Sequence, residues 1–202
     1  MPRVLTQTDV ADFRERLCEA ATRLFDTRGR EGFTMRELAS ELGVSAMTPY
    51  RYFKDKEEIL AAVRARAFTR WADKLEAAFA SVDTAPEKSR AVYEAYIDFA
   101  FGEPAAYKLM FDLSQPDENE YPELVAANAR AKATMTDYVR ELVGAGVIEG
   151  DANLIGRVFW ASLHGAVVLK LAGKLGGVGD PYDFDTVAGE SFRVLFDGYR
   201  KK

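Results

Sequence analysis

The chain has 202 residues, of which 48% are hydrophobic and 29% are charged, so it holds enough apolar material for a folded core. Its formal net charge of −5 does not by itself indicate a nucleic-acid partner. The single cysteine, Cys18, excludes an internal disulfide, and the single histidine, His164, lies far from it in sequence. This pattern lacks the spacing of a metal site, and we expect neither a metal nor a cofactor.

Targeting signals are not evident in the sequence. The N-terminus lacks the apolar run of a signal peptide, and no stretch of about eighteen uncharged apolar residues predicts a membrane span. We therefore expect a cytoplasmic protein with no membrane partner. Residues 1–8, which include Arg3, are expected to form either a disordered terminus or an arm that grips DNA.

The first third of the chain predicts short helices followed by one long helix. Apolar residues recur at three- and four-residue steps from Val10 to Phe25, and capping boxes begin at Thr34 and at Asp55. Gly43 is expected to make a tight turn, and Ser45 to cap a short helix. The predicted helices cover about residues 10–28, 34–42, 45–53 and 55–80.

Proline and aspartate mark the helix starts in the rest of the chain, because a proline at the first helical position loses no hydrogen bond. The predicted helices are Pro86–Phe101, Pro104–Leu113, Pro122–Val143, a helix capped by Asp151 that runs to Lys174, and Phe184–Tyr199. The polar, acidic segment 115–120 is expected to be a mobile loop. No segment shows the two-residue alternation of a strand, so the fold class is all-α.

Residues 34–53 predict two short helices joined by a turn at Gly43. The residues expected to pack them together and to close the small core are Leu38, Ala39, Leu42, Val44 and Phe53. This is the pattern of a helix-turn-helix unit, whose second helix enters the major groove of DNA. The alternative is a helical hairpin that only packs, but it does not explain why so many polar and aromatic side chains are exposed together.

Polar, basic and aromatic residues of this unit are the candidate DNA contacts. Arg36 is suited to read a guanine by two hydrogen bonds, with a phosphate contact or a surface salt bridge as the alternatives. Lys54 and Lys56 flank a helix start, where phosphate is favoured. Pro49 removes an intrahelical bond and predicts a distorted or 3₁₀ helix. The full predicted set is Thr34, Arg36, Ser45, Met47, Thr48, Tyr50, Arg51, Tyr52, Lys54 and Lys56.

Several segments together resemble the TetR family DNA-binding domain over about residues 11–71. They are Ala20-Ala-Thr-Arg-Leu-Phe25, Gly32-Phe-Thr-Met-Arg-Glu-Leu-Ala39, Gly43-Val-Ser45 and Tyr50-Arg-Tyr-Phe-Lys-Asp-Lys-Glu-Glu-Ile-Leu60. The C-terminal half more loosely resembles a subgroup with a Trp-His-Gly-containing helix, through residues 99–111 and Trp160-Ala-Ser-Leu-His-Gly165. Pro49 departs from the family, in which an aliphatic residue is common at that position.

The resemblance implies a three-helix DNA-binding domain at residues 11–71, with its helix-turn-helix at 34–53. A long helix joins it to a helical ligand-sensing and dimerisation domain at 72–202. The implied function is a ligand-responsive transcriptional repressor that binds a palindromic DNA operator as a homodimer and is released by a mainly apolar small molecule. Small residues on the last two long helices, among them Ala161, Gly165 and Gly189, are suited to close pairing with their copies.

Aromatic residues, methionine and a few polar side chains are the candidate ligand contacts. They are Tyr96, Phe99, Tyr107, Met110, Phe111, Tyr138, Phe159, Leu163 and His164. The alternative for each residue is simple core packing.

The alternative functional classes are a helical enzyme and a protein-interaction module that does not bind DNA. The chain offers no phosphate-cradling loop, no nucleophile elbow and no set of metal ligands, so we expect no enzyme. An interaction module would not need the clustered basic and tyrosine residues of the helix-turn-helix.

Overall fold

A computed structural model describes residues 6–29, 34–112 and 117–201. In these residues the regular structure is helical, apart from one isolated bridge between Ile148 and Arg200. The α-helices are α1 Gln7–Arg28, α2 Met35–Glu41, α3 Lys56–Ala80, α4 Ala85–Gly102, α5 Pro104–Met110, α6 Pro122–Gly144, α7 Ala152–Leu171 and α8 Phe184–Tyr199. Two 3₁₀ turns cover Pro49–Arg51 and Glu118–Glu120. The predicted all-α class is confirmed.

Side-chain caps fix most helix starts. Thr34 and Glu37 form the expected capping box, and the Asp151 carboxylate accepts from the backbone N–H groups of Asn153 and Leu154. The box that starts α1 at Thr6 was not foreseen, so Gln7 and Thr8 are helical and do not belong to an arm. Residues 1–5 of the proposed arm lie outside the described residues.

The ends of two helices differ from the sequence prediction. The helix expected to reach Lys174 ends at Leu171, because Gly173 adopts φ +67° and the N–H of Lys174 turns back to the carbonyl of Leu169 at 2.8 Å. The helix expected to reach Leu113 ends at Met110, and Leu113 lies outside the described residues. The segment expected to be a mobile loop forms a 3₁₀ turn at Glu118–Glu120, while its residues 115 and 116 are not described.

The chain divides into two compact units. The N-terminal unit comprises the described parts of Met1–Thr69 and Ala105–Asn128, and the C-terminal unit comprises those of Arg70–Pro104 and Ala129–Lys202. Helix α5 belongs to the first unit because Leu109, which is fully buried, packs into the core that Leu38 and Phe53 help to form. The domain boundary at residue 71 stays a prediction.

The core of the C-terminal unit is rich in aromatic rings. Trp71 lies edge-on to Tyr96 at 4.5 Å and to Phe99 at 5.3 Å between ring centroids. Helices α6 and α7 cross so closely at Gly156 that a Cβ atom there would lie 2.6 Å from the carbonyl oxygen of Met135. Only glycine permits this approach without displacing a backbone.

Helix α7 is the most apolar of the long helices in the described ranges. Its length and composition would suffice to cross a membrane, a test that core helices of soluble proteins also pass. Leu154 and Val168 on this helix are 58% and 43% exposed. Its outer face therefore presents apolar surface that lacks a cover within the described part of this chain.

Candidate DNA-binding surface and ligand cavity

The turn of the helix-turn-helix forms as the glycine signal predicts. Gly43 has φ +66°, its N–H donates to the carbonyl of Ser40 at 3.1 Å, and the N–H of Val44 donates to that of Ala39 at 3.0 Å. This pair of bonds is a Schellman motif, which satisfies the last carbonyls of α2. Leu38, Ala39 and Phe53 are buried as expected, and Leu42 and Val44 are half-buried.

The segment after the turn is not a regular α-helix. Because Pro49 has no N–H to donate to the carbonyl of Ser45, that carbonyl accepts from the backbone N–H of Thr48 at 2.9 Å. Residues 49–51 follow as a 3₁₀ turn. The Ser45 hydroxyl pairs with the Thr48 hydroxyl at 2.8 Å, where the sequence predicted a helix cap. The expected short helix is therefore replaced by a turn and a 3₁₀ turn, for the reason that Pro49 suggested.

The ten predicted DNA contacts all lie in the N-terminal unit, and most are exposed. Met47 is 69% and Tyr50 48% exposed, so both side chains are accessible to a partner. The exposed set is Thr34, Arg36, Ser45, Met47, Tyr50, Arg51 and Lys54, while Thr48, Tyr52 and Lys56 are half-buried. The role of these residues as DNA contacts stays a prediction.

Arg14 on α1 holds the recognition segment, and sequence reasoning missed it. Its Nη1 donates to the carbonyl of Tyr52 at 2.5 Å, and its guanidinium lies 4.1 Å from the ring centroid of Phe53. The ring of Tyr52 itself packs on that of Phe13 at 4.7 Å. Tyr52 thus contributes to the packing of the unit, whatever its hydroxyl contacts.

The N-terminus of α2 already carries a carboxylate. Glu37 accepts the N–H of Thr34 at 2.8 Å and its hydroxyl at 3.0 Å, and Arg28 pairs with Glu37 at 2.9 Å. The hydrogen bonds from Thr34 lower the pKa of Glu37. A phosphate that binds at Thr34 has to share this helix end with the Glu37 carboxylate.

A small cavity of about 40 Å³ lies in the C-terminal unit among α4, α6, α7 and α8. Its walls are mainly apolar, with tyrosine and serine hydroxyls as the polar groups. They are Ser89, Val92, Tyr93, Tyr96, Met135, Tyr138, Phe159, Trp160, Ser162, Leu163, Ala188, Phe192 and Leu195. Burial raises the pKa of Tyr138, and burial followed by the charge of Asp185 raises that of Tyr93. Both hydroxyls therefore remain protonated donors at neutral pH.

An apolar groove of about 370 Å³ adjoins this cavity on the surface of the same unit. The residues that line both are Ser89, Tyr93, Ala188 and Phe192. The cavity alone has room for little more than a few water molecules, whereas ligand pockets typically measure about 300–1,000 Å³. A ligand of ordinary size must therefore widen the cavity or extend into the groove.

The structure gathers only part of the predicted ligand set at the cavity. Tyr96, Tyr138, Phe159 and Leu163 line it, whereas Phe99 packs against Trp71. Three others, Tyr107, Met110 and Phe111, belong to the N-terminal unit. His164 is half-buried beside Trp160, with 5.9 Å between the rings, and burial lowers its pKa. The contribution of α8 was missed, although its apolar spacing in the sequence could have indicated it.

Comparison with known proteins identifies the class of regulator. Residues 17–63 match the family described as bacterial regulatory proteins, tetR family, and residues 89–197 match the tetracyclin repressor-like C-terminal domain. The protein is therefore a helix-turn-helix transcriptional regulator with a tetracyclin repressor-like C-terminal domain. It belongs to the TetR family, as the sequence resemblance indicated, and this membership makes it a regulator and not an enzyme.

Three relatives illustrate the range of similarity. The transcriptional activator FasR of Mycolicibacterium smegmatis is 30% identical over 133 residues, which cover 64% of this chain and only 58% of FasR. A Rhodococcus sp. RHA1 protein of unknown function is 27% identical, with a TM-score of 0.79 and full coverage of both chains. FadR of Bacillus subtilis, solved with stearoyl-CoA, shares the fold at 18% identity and a TM-score of 0.73, over 92% of this chain and 99% of its own.

Proposed function

We propose that this protein is a cytoplasmic, ligand-responsive repressor that binds a palindromic operator as a homodimer and is released by a mainly apolar small molecule. The observation that carries the proposal is the exposed recognition surface around Tyr50 in one unit, together with the apolar cavity around Leu163 in the other. The exposed surface is suited to contact DNA, and the cavity is suited to bind a small-molecule effector.

The DNA-binding half of the proposal rests on the character of the exposed side chains. Arg36 is exposed on α2 and can offer two donors to a guanine, while Met47 and Thr48 can contact a thymine methyl group. Lys54, with 87% of its side chain exposed, is available to phosphate. A single recognition segment this short reads few base pairs, so two copies on two half-sites are needed.

The dimer is supported by an apolar seam on α7. The seam residues follow each other at alternating four- and three-residue steps, the spacing of a coiled-coil contact. They are Leu154, Val158, Ala161, Gly165 and Val168 on α7, and Ala172 directly after its end. All six are exposed or half-buried, and a Cβ added to Gly165 would meet no atom of this chain within 4 Å. The residues Val187, Ser191, Val194 and Gly198 repeat the same steps on α8.

Such a seam would let α7 and α8 pair with their copies in a four-helix bundle. Small side chains at Ala161 and Gly165 permit close approach, and the flanking Leu154 and Val168 supply apolar area. The two recognition segments would then meet successive major grooves, about 34–36 Å apart.

The effector half of the proposal rests on the mismatch between cavity and ligand size. A ligand that widens the cavity binds the widened form more tightly, and it shifts the protein towards that form only by this difference in affinity. A coupling of about 1–3 kcal/mol would lower the affinity for DNA roughly 5- to 150-fold. The stearoyl-CoA in B. subtilis FadR supports an effector that contains a long apolar chain, since that protein has the same fold.

Filling the cavity tests the effector site. Leu163→Trp adds a large side chain to a wall residue, and we expect it to change both operator affinity and the response to ligand. Val178→Trp is the matched control, because Val178 lies on an exposed loop. Gel-shift titrations of both variants against the promoter DNA of the protein's own gene give the comparison. If Leu163→Trp behaves like the control, the effector does not bind in this cavity.

DNA binding and dimerisation are tested on the unmodified protein. Affinity for promoter DNA should fall steeply as salt rises, because bound phosphates release counterions. Light scattering at micromolar concentration should give twice the 22.5 kDa of one chain. A monomer, or binding that is indifferent to salt, would contradict the proposal.

A further inference from the structure

The guanidinium of Arg64 on α3 is buried in the N-terminal unit, with only 4% of its side chain exposed. Its Nη2 donates to the carbonyl of Met110 at 3.3 Å and to Oε1 of Glu118 at 2.5 Å. Its Nε and Nη1 are also buried, and they meet no acceptor in residues 6–29, 34–112 or 117–201. A buried charged group with unpaired N–H donors is unusual, because each such donor loses its hydrogen bonds to water on folding and gains no acceptor in return.

The charge of Arg64 is balanced by Glu118, which is more exposed than Arg64. Glu118 lies on the short 3₁₀ turn and keeps 34% of its side chain exposed, so this carboxylate can turn towards water. Its second oxygen accepts from Nδ2 of Asn128, a buried amide, at 2.5 Å. Arg64 and Asn128 are therefore two fixed, buried donors that share one replaceable carboxylate.

Two aromatic residues lie next along the chain to the groups that form this polar pair. Phe68 follows Arg64 by one turn of α3 and lies edge-on to Phe111, with 5.9 Å between ring centroids. Phe111 directly follows Met110 and also contacts Tyr107 at 5.0 Å. Half-buried Phe111 leaves part of this aromatic wall accessible. An organic ion with an apolar body would find matching chemistry at both of its ends.

We propose that Arg64 and Asn128 anchor a second ligand site, in the N-terminal unit, for a small organic carboxylate with an apolar body. The incoming carboxylate takes the place of Glu118, and the released Glu118 turns to solvent. A monoanion is favoured over a phosphate dianion, because one positive charge is available. In that place the ligand's carboxylate accepts from Nη2 of Arg64 and from Nδ2 of Asn128. A free ligand, unlike the tethered Glu118 side chain, can also shift towards Nη1 and accept a second bond from the guanidinium.

The exchange has a consequence for the segment after α5. Glu118 ties the 3₁₀ turn to α3 through Arg64, so a bound carboxylate releases that turn from the helix that follows the recognition segment. An effect of the acid on DNA affinity depends on the proposed repressor function, but binding of the acid does not. The two can therefore be measured separately.

Calorimetry on the full-length protein without DNA tests the site. The probes are octanoate and 4-phenylbutanoate, each paired with the alcohol of the same skeleton, octan-1-ol and 4-phenylbutan-1-ol. We expect at least one acid to bind about tenfold or more tightly than its alcohol, the ratio typical of a charge-assisted hydrogen bond. If both acids fail to bind at millimolar concentration, or bind no better than their alcohols, the inference is overturned.

Three variants locate the binding. Arg64→Gln should abolish the preference for the acid, whereas Arg70→Gln, which removes an exposed arginine from the same helix, should keep it. Glu118→Gln should tighten acid binding, because the competing carboxylate is gone. Glu118→Gln also tests the site if Arg64→Gln does not fold, because Glu118 is partly exposed and its replacement should disturb the core less. Weaker acid binding by Glu118→Gln, or an unchanged preference in folded Arg64→Gln, would refute the exchange.

The failure of this inference is distinguishable from the failure of the proposed function. Suppose that the protein binds promoter DNA, that neutral apolar ligands release it, and that the acids bind no better than their alcohols. The proposed repressor function is then supported and the Arg64 site is refuted. If the protein binds no DNA, the proposed repressor function is refuted, and the calorimetry still tests the Arg64 site.

Discussion

Replacing Gly156 with alanine places a methyl group at the crossing of α6 and α7. The new Cβ would lie 2.6 Å from the carbonyl oxygen of Met135, 2.9 Å from Cγ2 of Thr136 and 3.2 Å from its Cα. Two of these three atoms belong to the backbone of α6 and cannot rotate away. The helices must therefore separate by several tenths of an ångström, which also disturbs their neighbours because protein interiors are close-packed.

The expected loss of stability follows from two opposing effects. Overpacking a core typically costs about 1–3 kcal/mol, and it is offset by about 1 kcal/mol because alanine favours the helix over glycine. We expect Gly156→Ala to lower the free energy of unfolding by up to about 2 kcal/mol. For a chain of this size each kcal/mol corresponds to roughly 2–4 °C in the melting midpoint.

Gly165→Ala is the matched control in the same helix. A Cβ at Gly165 meets nothing within 4 Å of this chain, so the helix propensity alone predicts a slightly more stable protomer. Because Gly165 lies in the proposed dimer seam, the same change should weaken dimerisation. Thermal unfolding and light scattering at matched concentrations separate the effects. A Gly156→Ala protein as stable as wild type would refute the close crossing.

Three further predictions concern DNA binding and pH. Arg36→Ala should weaken binding to the operator by about 1–3 kcal/mol more than binding to random DNA, and equal losses would show a phosphate contact only. Lys56→Ala should weaken binding to all sequences alike and reduce the salt slope by about one unit, whereas an unchanged slope removes Lys56 from the interface. Burial lowers the pKa of His164 below its ordinary 6.5, so the unfolded chain binds a proton at His164 more readily than the folded chain does. The free energy of unfolding should therefore fall as the pH drops below about 6.5. His164→Gln should flatten that part of the stability profile measured by denaturant titration.

Local signals in the sequence were sufficient to predict most helix starts. Thr34, Asp151 and the prolines act on backbone groups within one turn of themselves, so their effect can be read without knowing the fold. The same holds for Pro49, whose missing N–H predicted the distorted recognition segment. The shortened end of α7 is a local effect too, because Gly173 lies two residues beyond Leu171 and is itself a helix-ending signal.

Contacts between residues distant in sequence could not be predicted in this way. Arg14 meets Tyr52 across 38 positions, and Arg64 meets Glu118 across 54. Nothing in the local pattern distinguishes these arginines from solvent-exposed ones. The candidate ligand residues show the same limit, because aromatic composition indicates burial but does not say which cavity a ring will face. Phe99 and Phe159 read alike in sequence, yet only Phe159 lines the cavity.

The cavity and the proposed dimer seam are built on opposite sides of the same helix. Leu163 lines the cavity, and Ala161, two residues earlier, lies in the seam, which at 3.6 residues per turn places them on nearly opposite faces of α7. Helix α8 likewise contributes Phe192 to the cavity and Val194 to the seam. A ligand that widens the cavity must displace at least one wall, because the interior cannot be compressed to make room. Because seam residues lie on the same helices as the cavity walls, displacement of α7 or α8 moves the seam as well. In a two-fold dimer the same movement occurs in the partner. The proposed release of DNA therefore needs no separate relay within this unit, since the helices that sense the ligand are those that would set the geometry of the dimer.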